Sequence, residues 1–512
     1  MKKTYTITAP AAHDGVERET RSKPMKELYV IMAICLGSAL FFVNFIWGFF
    51  DREINALGIN MTVLLSLGYL LFYKVYAGKR LLTRSNLPWL IPFGLIALSF
   101  SLYDNPFLKA FSILVLPTAF IVFYNYAQLK HRERRQWDLA FFNGLFIRAF
   151  GFLPKVSKAA SLYSGIIFPG ERKGLEAVKK VLIGILLFAA MALIVVIPLL
   201  SSADPLFADK MNKVYQSFGN IISLSFISKT IVVCGMSIFL LAASLAWLWP
   251  FELTKHSQSD KEVDSIITGI VLGGILLLYL LFLYLQLNRL WVNALPINFQ
   301  ETEDLVKSGF WQLFVLSVIN ILLFSLSFRK TNALVHKVLA VFVGASCLLL
   351  LSAGYRMYLY VTLYGFSYEK FFATYTVVFI GVLFVWIVSR FFQADKPNTM
   401  KFSAFLFIWM FTLATVFPIE QFILQSNIAL ALRPDSRIKL YELTMLSPDI
   451  LSSVEKYVAR DADKCEYGKV QSTPGSLDFC GWNDWLKERR ENVNEKKWYE
   501  ANLMNLIYWK GF

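Results

Sequence analysis

The sequence predicts an all-α, polytopic integral membrane protein of about eleven transmembrane helices, with a small extracytoplasmic helical region at its C-terminus. Three observations carry that expectation. Apolar residues make up 56% of the chain and charged residues 17%, where a soluble globular protein carries about 25% charged. Apolar runs of about 17–25 residues recur between Leu28 and Pro418, the length needed to cross a bilayer core as helix. Finally, the Lys and Arg residues between those runs fall on alternate connections, as the cytoplasmic loops of a membrane protein require.

Residues 1–27 are polar and of mixed charge and read as a cytoplasmic N-terminal tail. The apolar run after them is too long for the core of a secretory signal, and no cleavage site comes after it, so it reads as the first span. Residues 28–418 form the transmembrane domain. Its spans are placed near 28–50, 55–73, 87–103, 107–128, 178–200, 229–250, 266–288, 310–327, 334–360, 372–392 and 402–418. Assigning alternate loops to the inside places about 29 basic residues there and about 9 in the outer loops. The formal charge of +15 is thereby a topology signal with some attraction for anionic lipid, and nucleic acid is not an expected partner.

Residues 129–177 make a long cytoplasmic loop. Within it Trp137 to Pro154 is apolar but broken by Asp138, Asn143 and Arg148, which suits an amphipathic helix at the inner interface, with a re-entrant segment as the alternative. An odd number of spans puts residues 419–512 outside. There Cys465 and Cys480 would close a loop of about 15 residues as a disulfide in an oxidising compartment, or remain two unrelated thiols. Ser447-Pro448-Asp449 reads as a helix start with Ser447 as N-cap. The tryptophans from Trp482 onward suit either a core or the outer membrane interface.

Several chemistries have no residues to support them. All four histidines fall in the N-terminal tail or cytoplasmic loops, so no His-based triad or zinc site is expected on the outer face. No GxxxxGK[ST] run and no CxxC pair occurs, and no metal or cofactor is expected. Ionisable residues within spans are candidates by default, and Arg356 in the ninth span is the clearest, read either as a ligand for an anionic group or as a snorkelling or ion-paired structural residue. Acids collect instead at the outer ends of the spans. Asp204, Asp304 and Glu369, with Arg356, Lys307 and Lys370, could build an outward-facing polar network, or could be ordinary solvated loop charge. Asn320 in span eight reads as an amide that glues helices, and Gly269 and Gly273 make a GxxxG step in span seven.

Five stretches carry a family resemblance: SSADPLF (Ser201 to Phe207), YLLFLYLQL in span seven, EDLVKSGFWQL (Glu303 to Leu313), YRMYLYVTLYGFSYEK (Tyr355 to Lys370), and NIALALR through LSPD (Asn427 to Asp449). Together they resemble bacterial polytopic membrane proteins grouped as a domain of unknown function (the 4153/4173 group), over about residues 180–455. The resemblance implies a multi-span fold in a bacterial plasma (inner) membrane, and places Asp204, Asp304, Arg356, Tyr364, Asn427 and Asp449 on family positions. Lys307 and Lys370 stand where the family usually has Arg, which keeps the charge but loses the bidentate fork.

Three functions compete on these residues. One is transport or permeation of a small solute or lipid-like molecule. A second is a non-enzymatic envelope sensor or assembly factor that meets a protein partner through its C-terminal region. The third is a membrane-embedded transferase or hydrolase working at the outer face with convergent carboxylates. A continuous polar cavity would favour the first, an exposed apolar patch on the tail the second, and clustered acids at a lipid-accessible groove the third.

Overall fold

The computed structural model describes residues 25–47, 54–75, 83–128, 139–167, 224–248, 265–285, 314–324, 333–392, 399–433, 436–438, 440–461 and 482–506, with the single residues 210 and 328. Among them every regular element is helical. In chain order these are α1 (Met25–Phe45), α2 (Ile59–Val75), α3 (Leu87–Leu102), α4 (Pro106–Gln128), α5 (Leu139–Ala149), α6 (Val156–Ile167), α7 (Leu224–Leu248) and α8 (Ser265–Leu285). They continue with α9 (Phe314–Phe324), α10 (Ala333–Tyr364), α11 (Tyr368–Phe392), α12 (Thr399–Val416), α13 (Ile419–Ala431), α14 (Leu451–Asp461) and α15 (Trp482–Asn494).

Six of these helices are long and apolar enough to cross a membrane: α1, α4, α7, α10, α11 and α12. Four shorter apolar helices, α2, α3, α8 and α9, lie where four more spans are expected. The expected span at 178–200 lies outside the described residues. α10 is the longest, at 32 residues or about 48 Å, well over the ~30 Å hydrocarbon core.

The described residues pack as two units. In the first, α1 and α7 lie along each other, burying Ile31, Met32 and Cys35 with Leu241, Ala242 and Leu245. Small Ser244 lets the helices approach, and its hydroxyl is 3.9 Å from the Cys35 sulfur. α6 closes one side, with Ala159 buried and the Tyr163 hydroxyl donating to the Met32 carbonyl at 3.0 Å. Within the stretch expected at the inner interface, α5 is 11 residues or about 16 Å long, too short to cross. It leaves Phe146 and Phe150 exposed, with exposed Leu153 just beyond.

The second unit holds α3, α4 and α8 to α15. α8, α9 and α10 share a core of Leu272, Tyr279, Phe324, Leu339 and Phe342. Buried Asn320 in that core is bonded on both sides: it accepts from the Tyr279 hydroxyl at 2.6 Å and donates to Ser346 at 2.8 Å. Asn320 is thus the interhelical amide that its place in an apolar run suggests. Of the GxxxG pair, Gly269 sits close to Val335 of α10, while Gly273 meets nothing nearby. α3 packs on α12, where the Trp409 indole N–H donates to the Pro88 carbonyl at 2.9 Å.

The region after α12 folds against this unit rather than trailing from it. Buried Ile423 and Leu424 of α13 join Leu451, Val454, Trp482, Trp485 and Leu486 in one core with Leu108 of α4. Two of the tryptophans are therefore core, whereas Trp498 is 58% exposed. The segment 499–504 is stitched by backbone bonds to two connections of the helical domain: Ile59 N–H to Ala501 O at 3.2 Å, Asn60 N–H to Tyr499 O at 2.8 Å, and Leu503 N–H to Ser101 O at 2.7 Å. A Cβ on Gly58 would collide with the Glu500 and Ala501 carbonyl oxygens, so this approach needs glycine.

Candidate functional site

The connections 103–105, 365–367 and 417–418 and the region after α13 meet at one end of the second unit, and there the structure buries charge. α3 ends at Leu102 and Pro106 opens α4, leaving the short turn Tyr103-Asp104-Asn105. Asn105 caps α4 by accepting from Leu108 N–H at 2.9 Å. That fixes Asp104, 1% exposed, one turn before Lys109, 4% exposed, and the two form an ion pair of 2.6 Å. The second oxygen of Asp104 takes the ammonium of Lys496, just after α15. Its own N–H donates to Asp449 Oδ2 at 2.7 Å.

Glu420 enters from the first turn of α13, fixed by Pro418 at the helix start. It is 3% exposed and accepts four hydrogen bonds: from the Tyr368 hydroxyl at the start of α11, from Asn105 Nδ2 at 3.0 Å, and from the Ser447 N–H and hydroxyl at 3.0 and 2.5 Å. Ser447 in turn accepts from Asp449 N–H at 3.3 Å, the N-cap that the Ser-Pro-Asp sequence suggests. Gln421 ties the same turn down by donating to the Asp449 carbonyl at 2.8 Å.

Three carboxylates and two ammonium groups therefore share one buried site, and their environments separate them. Burial opposes charge on Asp104, but Lys109 and Lys496 overcome it and hold its carboxyl below the ordinary range. Burial pushes the Glu420 carboxyl up to about 7; the hydrogen bonds from Ser447 and Tyr368 oppose this, and the Asp104 charge adds to it. Asp449 is raised well above the carboxylate range, by burial first and then by the Glu420 and Asp104 charges, against the weaker pull of the Asp104 N–H and Lys109. So Asp104 is the fixed anion of the site, and Glu420 and Asp449 are its protonatable members. No group of three His, Cys, Asp or Glu among the described residues is spaced to hold a metal ion.

The expected site residues fall out in groups. Asp204, Asp304 and Lys307, and the cysteines Cys465 and Cys480, lie outside the described residues. Asp449 lies in the carboxylate cluster. Tyr364, Lys370 and Asn427 organise the turn between α10 and α11. Asn427 grips the Phe366 backbone on both sides, accepting from its N–H at 2.5 Å and donating to its carbonyl at 2.7 Å. Gly365 holds φ +72° there, with room for no Cβ, since one would sit 2.6 Å from Asn427 Oδ1. Buried Lys370 donates to the Tyr364 carbonyl at 3.3 Å and lies 4.9 Å from the Tyr360 ring centroid, a cation at the C-terminus of α10. Tyr364 accepts from Arg437 at 3.4 Å. Glu369 is exposed on the first turn of α11, and Arg356 is half-buried on α10 about two turns before Tyr364.

Asp104, Lys109, Glu420 and Lys496 escape the sequence reading. The signals for two of them are present: an acid in a three-residue connection between apolar runs, and a lone Glu inside an apolar stretch directly after the last span.

Among the described residues the protein is all-helical, and six of its helices have the length and composition of membrane spans. The chain belongs to the family described as Domain of unknown function (DUF4153), whose model matches residues 90–457, more than half its length. That match reaches further toward the N-terminus than the five motif stretches and takes in Asp104, Lys109, Glu420 and Asp449, but not Lys496. No curated protein and no solved structure matches the chain.

Proposed function

We propose that this is a non-enzymatic envelope sensor or assembly factor of the plasma membrane, whose extracytoplasmic C-terminal region is held on the helical domain by a protonatable lock. The observation that supports this is the cluster itself. Asp104 from the helical domain bonds Lys496 and Asp449 of the C-terminal region, and its neighbour Asn105 bonds Glu420. Together these contacts tie the described part of the region after α12 to the end of the bundle. A proton gained or lost at Glu420 changes how tightly the region is held. The exposed apolar side chains Trp498, Leu503 and Met445 on that region suit a surface that meets a protein or the outer leaflet.

The transport reading needs a polar path through the helices, and the enzymatic reading needs carboxylates free to work. Asp104 and Glu420 are instead engaged by internal donors. In this account eleven spans cross the bilayer, with the N-terminus cytoplasmic and residues 419–512 outside. The test is protease accessibility of residues 482–506 in intact cells at external pH 6 and 8. The account expects faster cleavage at pH 8, and a smaller pH difference in Glu420→Gln. Complete protection at both values in an otherwise surface-accessible cell would reject the outer placement. Equal cleavage at both values in the wild type would reject the lock.

A further inference from the structure

Glu420 and Asp449 line a cleft at the level where the apolar helices end, one residue past α3, two into α4 and just after α12. Its walls are the aromatic and apolar side chains of Tyr103, Phe417 and Met504, with Gln421 beside the acids. The enclosed part has room for about one water-sized group.

Two features single out Asp449 within it. First, both ammonium groups of the cluster bond Asp104, so among the described residues neither Glu420 nor Asp449 has a cation bonded to it. Second, the acceptors are unevenly used. Glu420 takes four donors, and Asp449 Oδ2 takes the Asp104 N–H, but Asp449 Oδ1 is buried with no hydrogen-bond partner among the described residues. A buried acceptor left unpaired is costly, so a donor at this position is favoured.

We propose that this cleft binds a primary ammonium group, as the head of an ethanolamine-type lipid or as a free amine. This rests on the docking account above and names the ligand of the same site. An ammonium is close to the size of a water molecule, takes the place of the Asp449 proton as the cation of that carboxylate, and brings three donors for Asp449 Oδ1 and its neighbours. Tyr103 and Phe417 line the cleft, and an aromatic ring attracts a cation placed over its face. A trimethylammonium head has no N–H to give and is too large. The acids are not spaced for a divalent ion among the described residues. A bound ammonium would strengthen the hold on the C-terminal region, coupling docking to the amine content of the outer leaflet or medium.

The test uses the full chain in phosphatidylcholine nanodiscs, reading the rate at which protease releases the 482–506 segment. Methylammonium chloride is titrated at constant ionic strength against sodium and tetramethylammonium chloride, and parallel discs contain phosphatidylethanolamine. The proposal expects methylammonium to slow release saturably, by roughly tenfold at ten times its Kd, and the two control salts to have no such effect. The protection should weaken from pH 8 to pH 5.5 as protons compete. The charged and titratable groups around Asp449 are Tyr103, Asp104, Lys109 and Glu420, with Tyr368 bonded to Glu420 and Lys496 to Asp104. Asp449→Asn should abolish the protection, and if that variant does not dock its tail, the salt series on the wild type decides alone. Protection by phosphatidylethanolamine without methylammonium assigns the lipid as source; protection by methylammonium alone assigns the free amine. No response to either, with the tail docked and released by Asp104→Asn, overturns the amine site and leaves docking intact. A tail indifferent to Asp104→Asn overturns the docking account instead.

Discussion

Replacing Asp104 by Asn removes the carboxylate that faces both buried ammonium groups. Lys109 is 4% exposed and Asp104 is its one ion-pair partner in the cluster, at 2.6 Å. Its ammonium would then stay buried beside a neutral amide, and stripping the partner from a buried pair typically costs 3–5 kcal/mol. Lys496 is 10% exposed and can turn toward water, so its loss adds little. Removing both charges together, Asp104→Asn with Lys109→Met, leaves only the Lys496 ammonium, which can turn toward water. The double variant should therefore recover most of the loss, with a coupling on the order of 2–3 kcal/mol. The assay is a thermal and denaturant unfolding series of the four proteins in one detergent, with the far more exposed Arg490–Glu455 pair as control, which should contribute about 0–1 kcal/mol. Single variants each within about 0.5 kcal/mol of wild type, or strictly additive effects, would refute the reasoning.

Three further outcomes come from the same geometry. Because the folded-state value of Glu420 is about 7, above its ordinary 4.5, the native state holds the extra proton between those values. Its contribution to stability is thus full below about pH 4.5 and is lost as pH rises toward 7, while Asp104, held below its ordinary value, works in the opposite sense at more acid pH. Unfolding midpoints across pH 5–8 should show the first slope, and Glu420→Gln should reduce it, leaving the part that the raised Asp449 carboxyl contributes in the same sense. Gly58→Ala should free the 499–504 segment, since the Cβ displaces the Glu500 and Ala501 carbonyls; faster proteolysis there, with intact α3–α12 packing, is the expected readout. Gly365→Ala should cost at least about 1–2 kcal/mol for the left-handed backbone alone, and more if the Asn427 bonds to Phe366 break, measured by the same unfolding series.

How much of this was legible in the sequence divides along physical lines. Helices and apolar cores arise from local composition, and where the described residues cover an expected span they hold a helix within a few residues of it. Ser447 as a cap and Asn320 as an interhelical amide are local readings too, and the structure places both as read. The motif stretch from Tyr355 to Lys370 pointed to Tyr364 and Lys370, yet their contacts are those of a helix end and a tight turn gripped by Asn427. The carboxylate cluster was not legible, because its partners are far apart in the chain: Asn105 and Glu420 by 315 positions, Asp104 and Asp449 by 345, Asp104 and Lys496 by 392. Single acids in short connections look like solvated charge until the tail folds over them. Composition left Trp482 and Trp485 undecided between core and interface, and packing on Leu451 and Val454 decides it.

The most direct measurement of the central claim is hydrogen exchange at residues 499–506 in the reconstituted protein, wild type against Asp104→Asn, at pH 6 and pH 8 after correction for intrinsic rates. The account predicts slow exchange of the Leu503 amide in the wild type, faster at pH 8 than at pH 6, and near-unprotected exchange in the variant at both. Identical protection in the two proteins would mean that the buried charges do not hold the C-terminal region, and the lock would be contradicted.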